Sequence, residues 1–124
     1  MKPRQSDKLA QAVAALEHAL EFEQQAGEDR FYFAGIAKCF EICLEYAWKE
    51  FRRAAVAEGL EVYSPREAIK TAGRLGLVDN VEQWLGFLED RNTAVHDYLG
   101  ISDADYLETI KAFLAEVRRL PRSS

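Results

Sequence analysis

The stretch DRFYFAGIAKCFEICLEYAWKEFRRAAVA, residues 29–57, decides the fold class of this 124-residue chain. It contains no proline, and large apolar side chains recur in it at spacings of three and four, the period of an α-helix. This spacing predicts one long helix over residues 29–57, roughly 42 Å in length at 1.5 Å per residue. The positions that carry the pattern are Phe33, Ile36, Phe40, Leu44, Trp48 and Phe51.

A second apolar stripe lies beside the first on this predicted helix and leaves only a narrow polar strip. A helix that is apolar on most sides must be covered on more than one side. The helix either kinks, with Gly35 as the candidate position, or projects from a bundle whose radius of gyration is near 14 Å. Projection favours a homodimer, and cover by other helices of the same chain is the alternative. The second stripe is Tyr32, Gly35, Cys39, Ile42 and Tyr46, and the polar strip is Lys38, Glu41, Glu45, Lys49 and Arg52.

Start and stop signals divide the rest of the chain into four further helices. The clearest start is Ser64-Pro65-Arg66-Glu67, where Ser64 is a cap, Pro65 is the first helical residue and Glu67 closes a capping box. No segment alternates apolar and polar residues as a strand would, and the connections are short. We therefore predict one all-α domain over residues 1–124, an up-and-down bundle of about five helices, four long and one short. The four further helices are predicted over about 7–25, 65–76, 81–100 and 103–120.

Composition limits the classes of function. The formal net charge of −5 argues against non-specific coating of nucleic acid, although a focused basic cleft remains compatible with it. No apolar run is long enough to span a bilayer and the N-terminus has no signal-peptide pattern, so a cytoplasmic protein without a membrane segment is expected. Cys39 and Cys43 are predicted to be reduced core residues, and His18 to be a solvated surface residue.

The segment RNTAVHDY, residues 91–98, lies near the end of the predicted fourth helix and carries the chemistry of the chain. Asn92 and His96 are four apart, so the amide is placed to hold the imidazole in one tautomer. Arg91 and His96 are five apart and point about 140° away from each other on a straight helix. Because one helix cannot aim both at one phosphate, the spacing predicts a cleft shared by two chains across a two-fold axis.

Over this segment the chain resembles the HEPN superfamily, whose signature is Arg, a polar residue, a short spacer and His, extended to Arg-x4-His-x-Tyr in the HepT-like branch. The stretches Ser64-Pro65-Arg66-Glu67, Gly76-Leu77-Val78 and Trp84-Leu85 also resemble the small proteins called nucleotidyltransferase substrate-binding. The resemblance covers nearly the whole chain. It implies a HEPN-like helical bundle that dimerises and partners a separately encoded minimal nucleotidyltransferase, often as a toxin and antitoxin pair.

The resemblance also implies roles for particular residues. HepT-like members are metal-independent ribonucleases in which the motif Arg and His act, which correspond to Arg91 and His96, with Asn92 beside them. The motif tyrosine, here Tyr98, is a target for AMP transfer by the partner, which silences the nuclease. No cofactor or metal is expected in such a site.

Two other hypotheses stay open on the sequence. The same cleft can dock a nucleotide or substrate for the partner nucleotidyltransferase without chemistry of its own, and the name substrate-binding leaves this alternative open. The chain can also be a purely structural dimerising bundle, in which Arg91 and His96 only fasten helix ends. There is no glycine-rich phosphate loop, nucleophile elbow or paired metal-ligand motif in the sequence that would favour another class of enzyme.

Overall fold

The computed structural model describes residues 5–97 and 99–121, and within these ranges every regular element is a helix. The all-α prediction is confirmed. There are six helices where about five were predicted. They are α1 (Gln5–Leu20), α2 (Glu23–Ala26), α3 (Arg30–Ala57), α4 (Pro65–Arg74), α5 (Val81–His96) and α6 (Asp103–Val117).

The four long helices α1, α3, α5 and α6 form the bundle, and each is antiparallel to its neighbours along the chain. The short α4 packs against α3 and α5. Helices α3 and α6 run in the same direction across the bundle. Their first residues contact each other, and so do residues further along both helices. The pairs that establish the directions are Arg30 with Asp103, Phe40 with Phe113, Thr109 with Asp90, and Arg118 with Glu17.

Aromatic rings hold α3, α5 and α6 together at the centre of the bundle. The ring of Phe113 meets those of Phe40, Phe87 and Trp84 edge to face, at centroid distances of 5.1, 5.5 and 5.6 Å. Phe51 meets Trp84 in the same way at 5.2 Å. Such edge-to-face pairs contribute beyond the area that they bury. The position of α5 is therefore fixed by rings on both of the helices that flank it.

The first predicted helix is divided in two, which accounts for the extra element. The N–H groups of Glu21 and Phe22 donate to the carbonyls of His18 and Ala19, so the α-helical bonding ends in a tight turn. Phe22 is half-buried there and stacks on Tyr32 of α3 with ring centroids 5.8 Å apart. The break follows from this contact. Because the contact joins two separate segments of the chain, the spacing pattern within one segment could not predict it.

The predicted helix starts and stops are confirmed at most positions. The hydroxyl of Ser64 accepts a hydrogen bond from the N–H of Glu67 at 3.1 Å, and Pro65 opens α4. The Glu67 carboxylate accepts a hydrogen bond from the N–H of Tyr63 at 3.0 Å. In an ordinary capping box the carboxylate accepts from the N–H of the cap residue itself, which here is Ser64. Gly59 and Gly76 end their helices with φ of 79° and 76°, a region in which glycine is not strained.

Helix α3 is unbroken from Arg30 to Ala57 and passes through Gly35 without a turn. Its first predicted stripe faces the core, with Trp48 only partly buried. Its second stripe is covered less completely, since Tyr32 and Ile42 remain 37% and 38% exposed. None of the described helices is both long and apolar enough to cross a bilayer.

A close approach between α4 and α5 gives a prediction about Gly73. A methyl group added there would lie 2.2 Å from Cγ2 of Val81, far inside contact distance. Gly73→Ala is expected to lower the free energy of unfolding by about 1–3 kcal/mol, although alanine is the better helix former by about 1 kcal/mol. Urea unfolding followed by circular dichroism measures the change. Adding Val81→Ala should restore most of the loss, and a stabilised Gly73→Ala would contradict the close packing.

The two cysteines, which are not joined, should differ in reactivity. Burial raises the pKa of the Cys43 thiol to about 12, with a smaller contribution from the nearby Cys39. Because the thiolate is the reactive form, Cys43 should react on the order of a thousandfold more slowly than a free thiol. Titration of the folded chain with an aromatic disulfide at pH 8 should modify Cys39, which is only partly buried, well before Cys43. Equal rates for both thiols, or a fast phase that survives Cys39→Ser, would contradict this expectation.

Candidate functional site

The motif segment lies at the carboxyl end of α5, and the helix ends earlier than predicted. His96 is the last helical residue, and Asp97 caps the helix in an extended conformation with φ −139° and ψ 93°. The N–H of Gly100 then donates to the carbonyl of Asp97 at 2.8 Å. A Cβ at Gly100 would lie 2.7 Å from Cγ2 of Thr93, so the chain turns tightly against the helix that it has just left. The predicted extension to residue 100 is therefore corrected, and Tyr98 lies outside the described residues.

Arg91 and Asn92 are brought together by a direct hydrogen bond. The Nε of Arg91 donates to Oδ1 of Asn92 at 2.9 Å. This leaves the terminal nitrogens of the guanidinium for another partner and fixes the orientation of the planar group. No hydrogen bond joins the Asn92 amide to the imidazole of His96 among the described residues, so the predicted contact is not formed there. His96 is exposed at the helix end.

The structure does not bring Arg91 and His96 together within one chain. Both belong to the regular part of α5, so their five-residue separation places them about 140° apart around the helix axis. Arg91 is half-buried on the side toward α6, whereas His96 faces solvent. One chain by itself therefore presents two separate functional groups.

The residue before the motif arginine is tied to α6. The hydroxyl of Thr109 donates to the Asp90 carboxylate at 2.7 Å, and this bond holds the start of the motif against the neighbouring helix. One turn earlier on α6, Tyr106 is 2% exposed, and its hydroxyl oxygen has no hydrogen-bond partner among the described residues. Burial raises the pKa of Tyr106, Glu41 raises it further and the charge of Arg91 lowers it. The buried hydroxyl thus lies within the electrostatic reach of the motif arginine.

A cavity of about 200 Å³ opens beside the motif, between the start of α3, the end of α5 and the start of α6. Its apolar wall includes Ala94 and Val95 from the motif itself. Its polar groups are Arg30, Glu41, Asp103 and Tyr106. The guanidinium of Arg30 lies 3.5 Å from the Asp103 carboxylate and 5.0 Å from the centre of the Phe33 ring.

Apolar side chains are exposed around the same end of the bundle. Val95 is 52% exposed within the motif, and Leu99 just after it is 87% exposed. Phe31, at the start of α3, is 79% exposed. Single exposed apolar residues are common on proteins, but these three lie on elements that meet at the motif end. They make this end suited to contact with another protein surface.

Sequence reasoning identified the motif residues but missed the groups behind them. Tyr106 was counted only as part of an apolar stripe, and Glu41 only as part of a solvated strip. Nothing in their spacing indicated that α3 and α6 would bring them to the motif. In the described ranges, no three His, Cys, Asp or Glu side chains are grouped so that they could hold a metal ion.

Residues 4–124 match the family described as nucleotidyltransferase substrate binding protein like. The chain belongs to this family. The match covers α1 to α6 and the whole motif segment, and it is consistent with the resemblance to the HEPN superfamily. A search of curated proteins returned no match.

Proposed function

We propose that this chain is a cytoplasmic HEPN-type subunit that pairs with a separately encoded minimal nucleotidyltransferase in a toxin–antitoxin-like system. In its free form it would be a metal-independent endoribonuclease, with Arg91 and His96 acting at a cleft between two copies. The observation that carries this proposal is the oriented guanidinium of Arg91, bonded to Asn92, on a helix whose last residue is an exposed histidine. The family supports the association with a nucleotidyltransferase.

The two motif groups can divide the work of RNA cleavage. Attack of the 2′-hydroxyl oxygen on the adjacent phosphorus requires that a proton leaves the hydroxyl and that a proton reaches the departing 5′-oxygen. An imidazole can take and return these protons near neutral pH. A guanidinium held in a fixed plane by Asn92 can pair with two phosphate oxygens and stabilise the charge that develops on them. No cofactor is needed for these steps.

A dimer is proposed because it brings Arg91 and His96 together, which the geometry of α5 prevents within one chain. A two-fold axis beside the helix end lets Arg91 of one copy face His96 of the other, which a single helix cannot arrange. The exposed side chain of Leu99 would be covered in such a contact. The cleft would then contain two equivalent pairs, each made from both copies.

The proposal is tested by assaying the chain without its partner. Protein whose intact mass shows no modification at Tyr98 should cleave single-stranded RNA in the presence of EDTA. Addition of the partner nucleotidyltransferase with ATP should transfer AMP to Tyr98 and suppress cleavage. If the unmodified dimer leaves RNA intact across a range of pH, the proposed nuclease activity is rejected.

A second candidate function is favoured by the cavity beside Val95. In this case the chain is a non-catalytic subunit that binds a nucleotide or substrate for the nucleotidyltransferase. Calorimetry with ATP, and separately with the partner, should then give heat of binding that Arg91→Ala weakens. Absence of heat with both titrants would reject this function.

A further inference from the structure

We propose that the cavity beside the motif is a base-binding subsite that holds a nucleobase carrying an exocyclic amine. The subsite is formed by Phe33 and Glu41 of α3, Val95 of α5 and Tyr106 of α6, with Arg30 at its edge. The proposal deepens the proposed function and rests on it in one respect, namely that the ligand of the motif is a nucleotide or RNA. Its test, which measures the binding of nucleotides, does not depend on cleavage of RNA.

The size and wall of the cavity suit one flat ring system. Its volume of about 200 Å³ is below the range usual for whole drug-sized ligands, about 300–1,000 Å³, so it matches a fragment such as a single base. Most of its wall is apolar, from Phe33, Ala34, Ala37, Ala94, Val95 and Ile101. Val95 is half exposed, so its side chain can move to admit a ring without disturbing the core.

The hydroxyl of Tyr106, a residue of this wall, is a buried polar group without a hydrogen-bond partner among the described residues. Nearly all buried polar side-chain atoms in folded proteins have a hydrogen-bond partner, so one that lacks a partner points to a missing group. A tyrosine hydroxyl is protonated at neutral pH, and burial raises the pKa of Tyr106 further from that range. It can therefore donate a hydrogen bond to a ring nitrogen or accept one from an amine.

Glu41 supplies an acceptor on the α3 side of the cavity. Its carboxylate is half-buried and has no ion-pair partner among the described residues. One turn later, Glu45 is paired with Lys49 at 3.2 Å. An ionised carboxylate only accepts hydrogen bonds, so it favours a ligand that donates from an amine. The opposite carboxylate, Asp103, is already occupied by Arg30.

The cavity lies one helical turn along α5 from the motif arginine. Ala94 and Val95 follow Arg91 by three and four residues, and residues at these spacings are neighbours on a helix surface. A base seated against Ala94 and Val95 would have its sugar and phosphate within the neighbourhood of Arg91. The same chain would thus hold the base and the phosphate of one nucleotide on one side of α5.

Two pairs of ligands that differ in the amine test the proposal. Calorimetric titration with AMP is compared with IMP, and CMP with UMP, since in each second member an oxo group replaces the amine and the adjacent ring nitrogen carries a proton. AMP and CMP are expected to bind about tenfold or more tightly than their counterparts, the usual effect of a hydrogen bond to a charged group. Equal affinities within both pairs, or no binding of any of the four at millimolar concentration, would overturn the proposal.

Two variants test which side chains form hydrogen bonds with the amine, and each has a matched control. Tyr106→Phe and Glu41→Gln are each expected to weaken binding of AMP by about tenfold. The controls are Tyr63→Phe, at an exposed tyrosine, and Glu45→Gln, one turn along α3, and both should bind AMP as the unmodified chain does. Because Tyr106→Phe removes a hydroxyl without a partner, its melting temperature should not fall. Loss of binding in the controls as well, or none in the two variants, would overturn the assignment.

The outcome is separable from that of the nuclease. RNA cleavage without discrimination between AMP and IMP would overturn the base subsite and leave the nuclease standing. Amine-dependent binding without cleavage would support the subsite and reject the nuclease alone.

Discussion

Equal mixing of Arg91→Ala chains with His96→Ala chains is expected to restore RNA cleavage that neither variant has by itself. Each variant alone should lose at least about a hundredfold in activity, the usual contribution of a positioned proton-transfer or phosphate-binding group. In a mixed dimer, one of the two composite sites receives Arg91 from one chain and His96 from the other. That site is intact, whereas the second site has lost both groups.

The amount of activity restored is set by random assortment. Half of the dimers are mixed, and each has one intact site of two, so about a quarter of the unmodified activity should return. The two chains are unfolded together and refolded, and cleavage of labelled RNA is measured in EDTA. His18→Ala serves as the control for a histidine, since His18 is exposed and pairs with Glu21 at 2.8 Å. If both variants are inactive alone and the mixture stays inactive, the site is not shared between copies.

The starts of the helices were predictable because their chemistry is local. Ser64 and Glu67 are three residues apart, and so are Ser102 and Asp105, and each pair is joined as the sequence indicates. A residue that caps a helix needs no information from elsewhere in the chain. The same holds for Gly59 and Gly76, whose positive φ follows from the need to end a helix sharply.

The features that the sequence did not indicate depend on contacts between helices. The break after α1 reflects the stacking of Phe22 on Tyr32, and Tyr32 belongs to a different helix. The end of α5 at His96 reflects the fit of Gly100 against Thr93. Periodicity reports which side of a helix is apolar, but it does not report which neighbour will cover it.

The candidate site shows the same division between local and long-range information. The 140° separation of Arg91 and His96 follows from their spacing alone, and it is the reason for proposing a site shared by two copies. The partner of Asn92 did not follow from spacing, because both Arg91 and His96 were within reach of its amide. The bond at 2.9 Å assigns the amide oxygen to Arg91.

Phe113→Ala is expected to lower the free energy of unfolding by about 3–5 kcal/mol, the usual cost of removing a buried aromatic side chain. Domains of this size are stable by only about 5–15 kcal/mol, so this loss is a large part of the stability. Phe113 is fully buried, and its ring is the common neighbour of Phe40, Trp84 and Phe87. Its loss should loosen α3, α5 and α6 from one another together. Urea unfolding followed by circular dichroism measures the change.

The control is Phe31→Ala, which removes the same side chain from a position that is 79% exposed. Its effect on stability should stay within about 0.5 kcal/mol. Phe113→Leu retains apolar volume and should cost about 1.5 kcal/mol or less, so it remains folded if the alanine variant does not. Losses of similar size for Phe31→Ala and Phe113→Ala would contradict the ring cluster as the centre of the bundle. Because Tyr106 stands two turns before Phe113 on α6 and also meets the ring of Phe40, at 5.5 Å, the same rings set the wall of the cavity beside the motif.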